Sequence, residues 1–175
     1  MGKQNPPLEP WDLAKWERFI LGIRSIGRDI DRLIFGTPRV VGLQINAFAD
    51  PLMRATDRLA DARVEFLFAV ERRFKGRPLG YLDQDPLPPV SREVSPFIER
   101  HARKNLSTEE WTELLHALEK IVAGIELHIS DASGQGVDLR KALKGLLLAS
   151  RIVKGVIPRV EALRASSVRG AEGPE

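Results

Sequence analysis

Apolar residues at helical spacing are the feature that most limits what this chain can fold into. In residues 15–36, KWERFILGIRSIGRDIDRLIFG, the apolar side chains recur every three or four positions, which places them on one face of an α-helix. The stripe extends over residues 11–35. Gly36 then permits a helix end, and Pro38 cannot continue a helix. The pattern therefore predicts an amphipathic helix with one buried face.

A second amphipathic helix is predicted to begin at residues 50–51. Asp50 is suited to cap the free amide groups of a first turn, and Pro51 fits the first helical position, where no N–H is needed. Gly76 ends this helix, and residues 37–49 are predicted to be a partly apolar connector with room for a short strand. The apolar residues of the helix are three or four apart, as in a seam packed against another helix: Leu52, Ala55, Leu59, Ala62, Phe66 and Val70.

Residues 76–95 contain four prolines, a composition that favours a stiff, extended connector over a helix or strand. This connector divides the chain into an N-terminal helical arm, residues 1–75, and a C-terminal helical bundle, residues 96–164. The bundle is predicted to open with a short helix over 95–104. Residues 165–175 are predicted to form a flexible tail.

Two longer helices are predicted in the C-terminal part. Ser107 and Glu110 have the spacing of a capping box, which begins a helix over 108–129. The last helix covers 138–164, with a kink at Pro158. No segment has the alternation typical of a strand, so the predicted fold class is all-α: a helical arm followed by a helical bundle.

Arginine dominates the basic residues. The chain has 19 Arg and 8 Lys against 24 acidic residues, which gives a net charge of +3. Arg always keeps its charge, and its planar fork binds carboxylate or phosphate. Heavy use of Arg without cysteine also suits a thermophilic habitat. Acidic residues dominate 95–131 and basic residues dominate 138–157, so the last two helices are expected to form an antiparallel hairpin with opposite charges across its seam.

The residues that usually catalyse reactions or bind metals form no recognised pattern. The chain has no cysteine, which excludes disulfides, thiolate metal sites and cysteine nucleophiles. His101, His116 and His128 lack metal-ligand spacing. The glycine-rich turn 133–136 lacks a preceding strand and the Lys-Ser/Thr ending of a phosphate loop. We therefore predict a protein that is not an enzyme, without catalytic residues, metal or cofactor.

Four arginines of the first predicted helix, Arg18, Arg24, Arg28 and Arg32, lie opposite its apolar stripe. Asp29 is three residues from Arg32 and can pair with it. Arg24 and Arg28 are four apart, so their charges repel unless something anionic lies against them. Three explanations remain open at this stage: a solvated face, the phosphates of a nucleic acid, or an anionic membrane surface.

The two N-terminal helices cannot bury both apolar faces by themselves and need either a second copy or the C-terminal bundle. If two copies pair, their basic faces line a groove whose arginines contact backbone phosphates without reading bases. One alternative is a helical adaptor or scaffold that binds partner helices. Another is a peripheral membrane protein using helix 11–35, because Trp11 and Trp16 suit a membrane interface. The longest aliphatic run, 146–149, is too short to span a membrane.

Two short stretches resemble the N-terminal part of the major capsid proteins of rod-shaped and filamentous archaeal viruses. They are Lys15–Phe19 (KWERF), which opens the first helix, and Asn46–Pro51 (NAFADP), which opens the second. The order of parts is similar too: a basic helical arm, a proline-bearing second helix, then a C-terminal helical bundle.

The resemblance implies a structural nucleocapsid protein located in the virion, and in the host cytoplasm during assembly. In that family the N-terminal helices of a dimer wrap double-stranded DNA, independently of its sequence, and the bundles pack outside as a helical filament. The implied partners are double-stranded DNA and a second capsid subunit in a homo- or heterodimer; no membrane envelope is indicated. The implied phosphate contacts are Lys15, Arg18, Arg24, Arg28, Arg32, Arg39, Arg54 and Arg58.

Overall fold

The computed structural model describes residues 9–36, 46–75, 79, 82 and 106–171. Within these ranges there are four α-helices and no strand, which confirms the all-α prediction. A short 3₁₀-helix, Val137–Leu139, precedes the last of them. The helices are α1 (Leu13–Gly36), α2 (Asn46–Arg73), α3 (Thr108–Ala132) and α4 (Arg140–Ala171).

The N-terminal helical pair precedes the C-terminal helices, as predicted, and packs onto them. α1 contacts α2 and α3, and α4 contacts α2 and α3, so the described helices form a closed ring of neighbours. A hydrophobic core draws buried side chains from all four of these helices. Of the two ways to cover the apolar stripes of α1 and α2, this structure shows the C-terminal helices covering them.

Small residues set the contact between α2 and α4. A Cβ placed on Gly145 of α4 would lie only 3.0 Å from Cβ of Ala62 in α2. Because neither residue has a long side chain, the two helices approach closely and bury the aliphatic residues around this point. Lys141 of α4 adds an ion pair, with Nζ 3.1 Å from Oε1 of Glu65 in α2.

Aromatic side chains join α1 to α2 near the start of α1. The ring centroids of Trp11 and Trp16 are 4.6 Å apart, and those of Phe19 and Phe66 are 4.9 Å apart in an edge-to-face arrangement. Trp16 is completely buried. Trp16 is therefore a core residue and not available to a membrane interface. No helix in the described ranges is both long enough and apolar enough to pass through a bilayer.

The predicted start of α2 at Asp50–Pro51 is wrong. The helix begins at Asn46, so that Pro51 lies inside it. Proline at this point lacks the N–H that would donate to the carbonyl of Ala47, and only one backbone hydrogen bond of the helix is lost. An Asp-Pro pair therefore also fits the second turn of a helix. Residues 37–45 lie outside the described residues.

The predicted start of α3 is confirmed. The hydroxyl of Ser107 accepts a hydrogen bond from the backbone N–H of Glu110 at 3.1 Å. In return, Oε1 of Glu110 accepts one from the backbone N–H of Ser107 at 3.1 Å. This capping box satisfies two backbone donors that the first helical turn leaves without an intrahelical partner. The opposite charges expected across the α3–α4 seam are represented by the ion pair between Glu126 and Lys154.

The C-terminal helix is longer than predicted. α4 continues through Pro158 to Ala171, so the prediction of a flexible tail is wrong for residues 165–171. Pro158 is on the exposed side of the helix, where a missing N–H donor is least costly because water reaches the carbonyl it would have served. Residues 172–175, and the helix predicted over 95–104, lie outside the described residues.

The beginning of the proline-rich connector contributes to the core. Leu79 is 1% exposed and Leu82 is 2% exposed, and both join the cluster of buried residues. The backbone N–H of Leu79 donates to Oε1 of Glu71 at 3.3 Å. These two leucines are therefore part of the same core as the four helices.

Candidate anion-binding surface

Three arginines from two helices line one cleft. Arg24 and Arg28 of α1 and Arg63 of α2 border a cavity of about 140 Å³ between these helices, together with Asp31 and Thr56. We call this cavity the arginine cleft. Its lining therefore includes three cations and one carboxylate.

Helical spacing and small residues explain how the cleft forms. Arg24, Arg28 and Asp31 are four and three residues apart, so they lie on one side of α1. Gly27 lies between them without a side chain, and the position of its missing Cβ is 3.9 Å from the methyl group of Thr56. The two helices therefore leave space at the point where the arginine side chains converge.

The guanidinium groups of the cleft are held in place by the protein. Arg24 donates from Nη2 to the backbone carbonyl of Leu82. Arg28, Asp31 and Arg63 each have polar or charged contacts as well. The Nε atoms of Arg24, Arg28 and Arg63 are buried and form no hydrogen bond within the described part of the chain. Side chains held in this way lose less conformational entropy when they bind a ligand than fully solvated arginines do.

The other predicted contacts lie outside the cleft. Lys15 lies over the ring of Trp11, with Nζ 4.7 Å from the ring centroid. Arg32 is exposed and pairs with Asp29, with Nη1 3.2 Å from Oδ1. Arg39 lies outside the described residues. The structure therefore brings Arg24 and Arg28 together, but it does not place Lys15 or Arg32 with them.

The remaining predicted residues are exposed and do not line the cleft. Arg18 is exposed and lies one turn before Gly22, which faces α3. Arg54 and Arg58 are exposed on α2, and the backbone oxygen of Arg58 lies near Gly145 of α4. The predicted contacts are therefore distributed over several sides of α1 and α2, and of them only Arg24 and Arg28 line the arginine cleft.

Sequence reasoning missed Arg63. Its position four residues after Leu59 places it beside the apolar seam of α2, and this spacing is the signal in the sequence. The signal was insufficient, because helical periodicity does not say which neighbouring helix meets that side of α2. Only the packing of α1 against α2 identifies Arg63 as a neighbour of Arg24 and Arg28.

Arg73 was missed as well, and its role is structural. It forms two hydrogen bonds to Asp138 and donates from Nη2 to the carbonyl oxygen of Gln135 at 2.8 Å. The amide side chain of Gln135 in turn accepts from the backbone N–H of Trp11 at 3.2 Å. The turn at 133–136 therefore joins the ends of α1, α2 and α3.

His128 packs between helices instead of binding a ligand. Its ring lies 4.8 Å from the ring of Phe19, and Nδ1 is 3.0 Å from the carbonyl oxygen of Gly124, to which it can donate. A Cβ on Gly22 would be 2.6 Å from Nε2 of this ring. Across the described residues, no three His, Cys, Asp or Glu side chains are grouped so that they could hold a metal ion.

A second concave surface lies between α1 and α3. It has a volume of about 550 Å³ and is lined mainly by apolar residues, including Ile26, Leu33 and Ile121. Leu127 also borders it and is 59% exposed. We call it the α1–α3 groove. α1 and α3 pack together less extensively than the other neighbouring helix pairs, which leaves this surface open.

Comparison with known proteins identifies no relative: no family model, curated protein or solved structure matches this chain.

Proposed function

We propose that this protein is a structural, non-enzymatic protein that coats double-stranded DNA without reading its sequence. The observation that carries the proposal is the convergence of Arg24, Arg28 and Arg63 on one cleft, together with further exposed arginines elsewhere on α1 and α2. Arginine forks match the geometry of phosphate oxygens. A surface that offers several of them binds a phosphate backbone through charge and shape.

In such a coat α1 and α2 bind DNA while they remain packed against α3 and α4. The apolar stripes of α1 and α2 are covered by the protein's own helices, so a subunit contact does not depend on them. The outer side of α1 and α2 faces the DNA, and α3 and α4 face outward. In the proposed filament a homo- or heterodimer is the repeating unit, and the virion is the location of the assembled protein.

An electrophoretic mobility assay tests the proposal. Duplexes of equal length and unrelated sequence are expected to bind with equal affinity. The logarithm of the binding constant is expected to fall by about 0.9 for each phosphate contacted per tenfold rise in salt. Affinity that does not respond to salt, or no retardation at all, would contradict the proposal.

A matched pair of variants locates the binding surface. Arg24→Gln/Arg28→Gln removes two charges from the cleft, and Lys144→Gln/Arg151→Gln removes two exposed charges from α4. The first variant is expected to weaken DNA binding much more than the second, with unchanged helical circular dichroism in both. Equal weakening would mean that net charge alone, and not this surface, determines binding.

The α1–α3 groove favours a second candidate function, that of a helical adaptor. Its apolar lining and its volume of about 550 Å³ suit the apolar face of a partner's amphipathic helix. This candidate predicts a defined small oligomer by sedimentation and purified material free of nucleic acid. Leu127→Glu would then abolish partner binding and leave DNA binding unaffected. A DNA-coating protein without an adaptor function would bind no helical partner in the first place, with or without this substitution.

A further inference from the structure

We infer that the outer surface formed by α3 and α4 binds the same surface of a second copy of this chain. The two copies are related by a half-turn about an axis that runs along the seam between these helices, so that α3 of each copy lies on α4 of the other. The inference rests on the proposed function only where that function takes a dimer as its repeating unit. It goes further, because it assigns the surface at which the dimer forms and requires no DNA.

The exposed charges of the two helices are of opposite sign. Lys120 is the only lysine or arginine of α3, and Glu161 is the only acidic residue of α4. The exposed acidic residues of α3 are Glu109, Glu113, Glu119, Glu126 and Asp131, and the exposed basic residues of α4 are Arg140, Lys141, Lys144, Arg151, Lys154 and Arg159. An acidic helix beside a basic helix forms a surface that is complementary in charge to itself after a half-turn.

The ion pair between Glu126 and Lys154 gives the register of the two antiparallel helices. Each residue advances about 1.5 Å along a helix, so heights on α3 and α4 can be compared by counting from this pair. Asp131 lies five residues after Glu126, and Arg151 lies three residues before Lys154. Their heights along the seam therefore differ by about 3 Å.

A half-turn about the seam keeps these heights and exchanges the helices. Asp131 therefore comes to the height of Arg151 of the second copy, and symmetry forms the same contact a second time. Lys120, counted from the same ion pair, comes within about 2 Å of the height of Glu161 of the second copy. The one basic residue of α3 thus meets the one acidic residue of α4, and the pattern of charges matches in detail.

These four charged side chains are available for such contacts. Each is exposed, and none forms an ion pair with another residue in the part of the chain that the structure describes. Leu127 lies between Lys120 and Asp131 on α3 and is 59% exposed.

Gly155 lies near the height of Leu127 on the other helix, since the two residues directly follow Lys154 and Glu126. It has no side chain, and no neighbouring atom lies within 4 Å of the position of its missing Cβ. A second copy can therefore approach α4 closely at this point. The contact would remove the exposed Leu127 side chain from water, which favours association.

Charge reversal in two variants tests the inference on protein freed of nucleic acid. Sedimentation equilibrium of the wild type is expected to show monomers and dimers in proportions that depend on concentration. Arg151→Glu and Asp131→Arg each place like charges opposite one another at both symmetry-related contacts. Each variant alone is expected to dimerise at least about tenfold more weakly than the wild type.

The control is Asp57→Arg, which changes the net charge as Asp131→Arg does. It lies at an exposed position of α2, a helix that takes no part in the contact, and it is expected to dimerise as the wild type does. Because all three substituted positions are exposed, each variant is expected to keep the helical circular dichroism of the wild type.

A mixture of the two interface variants gives the sharpest measurement. When one Arg151→Glu chain pairs with one Asp131→Arg chain, both contacts again join opposite charges, so the mixture is expected to dimerise about as well as the wild type. A wild type that is monomeric at every concentration, variants that dimerise as the wild type does, or a mixture without recovery would overturn the inference. Growth of the wild type beyond a dimer would also overturn it, because head-to-tail contacts form open chains.

A mobility assay on the same samples separates this inference from the proposed function. The residues that line the arginine cleft belong to α1 and α2, and the duplex is short enough to hold one subunit, so loss of the dimer is not expected to change its affinity. A dimer that does not retard DNA would support the inference and remove the DNA-coating proposal. A monomer that retards DNA with a steep dependence on salt would overturn the inference and leave the DNA-coating proposal standing.

Discussion

Arg73 and Asp138 form a bidentate ion pair, with Nη2 of the arginine 2.6 Å from Oδ1 and Nε 3.2 Å from Oδ2 of the carboxylate. The pair joins the end of α2 to the 3₁₀-helix that precedes α4. Because the hydrogen bonds from Arg73 favour the ionised carboxylate, the pKa of Asp138 is lowered from its ordinary value of 3.8. This contact links the N-terminal helical pair to the C-terminal helices at one end of the bundle.

The ion pair makes a pH-dependent contribution to stability. Since the pKa of Asp138 is lower in the folded than in the unfolded state, the contribution is complete above the unfolded pKa and is lost as the pH falls through the folded pKa. Asp138→Asn is therefore expected to lower the free energy of unfolding by about 1 kcal/mol at pH 7, because the pair is partly exposed. Urea unfolding at pH 7 and pH 3 measures this. An equally large loss at pH 3 would contradict the explanation.

Gly136 is required by the same contact. Its φ of +149° is in the region that favours glycine, and a Cβ there would lie 2.4 Å from Nη2 of Arg73 and 2.4 Å from Oδ1 of Asp138. Gly136→Ala is expected to cost about 1–3 kcal/mol of stability by strain and by displacement of the pair. The control is Gly155→Ala in α4, where no atom lies within 4 Å of the new Cβ; it is expected to stabilise by about 0.5–1 kcal/mol. Thermal unfolding of both variants should show Tm changes of opposite sign.

Gly22 allows His128 to pack between α1 and α3. An alanine at this position would force the imidazole away from Phe19, because its Cβ would be 2.6 Å from Nε2 of His128. The expected loss of stability for Gly22→Ala is about 1–3 kcal/mol, typical of overpacking. A double-mutant cycle with His128→Ala measures the interaction directly. If the alanine at 22 costs as much without the imidazole as with it, the steric explanation fails.

The shared core predicts that the N-terminal and C-terminal helices unfold together. Phe66→Ala removes a fully buried ring and is expected to cost about 3–5 kcal/mol. The matched control is Phe68→Ala on the same helix, whose ring is 49% exposed and whose loss should change stability by less than about 0.5 kcal/mol.

Cooperative unfolding can be tested with two spectroscopic probes that report on different parts of the molecule. Circular dichroism reports all helices, while the fluorescence of a variant that keeps only Trp111 reports α3. Coincident denaturant midpoints for both probes in the variant that keeps only Trp111, with and without Phe66→Ala, indicate one cooperative unit. Separate midpoints would show that the N-terminal helices form an independent arm.

The sequence alone determined which segments are helical, where α3 begins and which face of each helix is apolar. These features depend on interactions over three or four residues: the capping box of Ser107 and Glu110, and the spacing of the apolar side chains. The same local rules placed the start of α2 at Asp50–Pro51 and the end of α4 near residue 164, and both positions were wrong. A proline near a helix end, or a run of polar residues, is compatible with a helix that stops there and with one that continues. The spacing of apolar residues therefore identifies a helix and its apolar face more reliably than it identifies the residues at which the helix begins and ends.

Only the tertiary structure decided what covers the apolar stripes and which charged residues meet. An apolar stripe packs against any complementary apolar face, so its pattern does not distinguish a second copy from the C-terminal helices. In the same way, Arg63 joins Arg24 and Arg28, and Arg73 meets Asp138, because two helices pack side by side and not because of any short-range spacing. Contacts between residues that are far apart in the chain depend on the whole set of helix packings at once, and no local pattern contains that information.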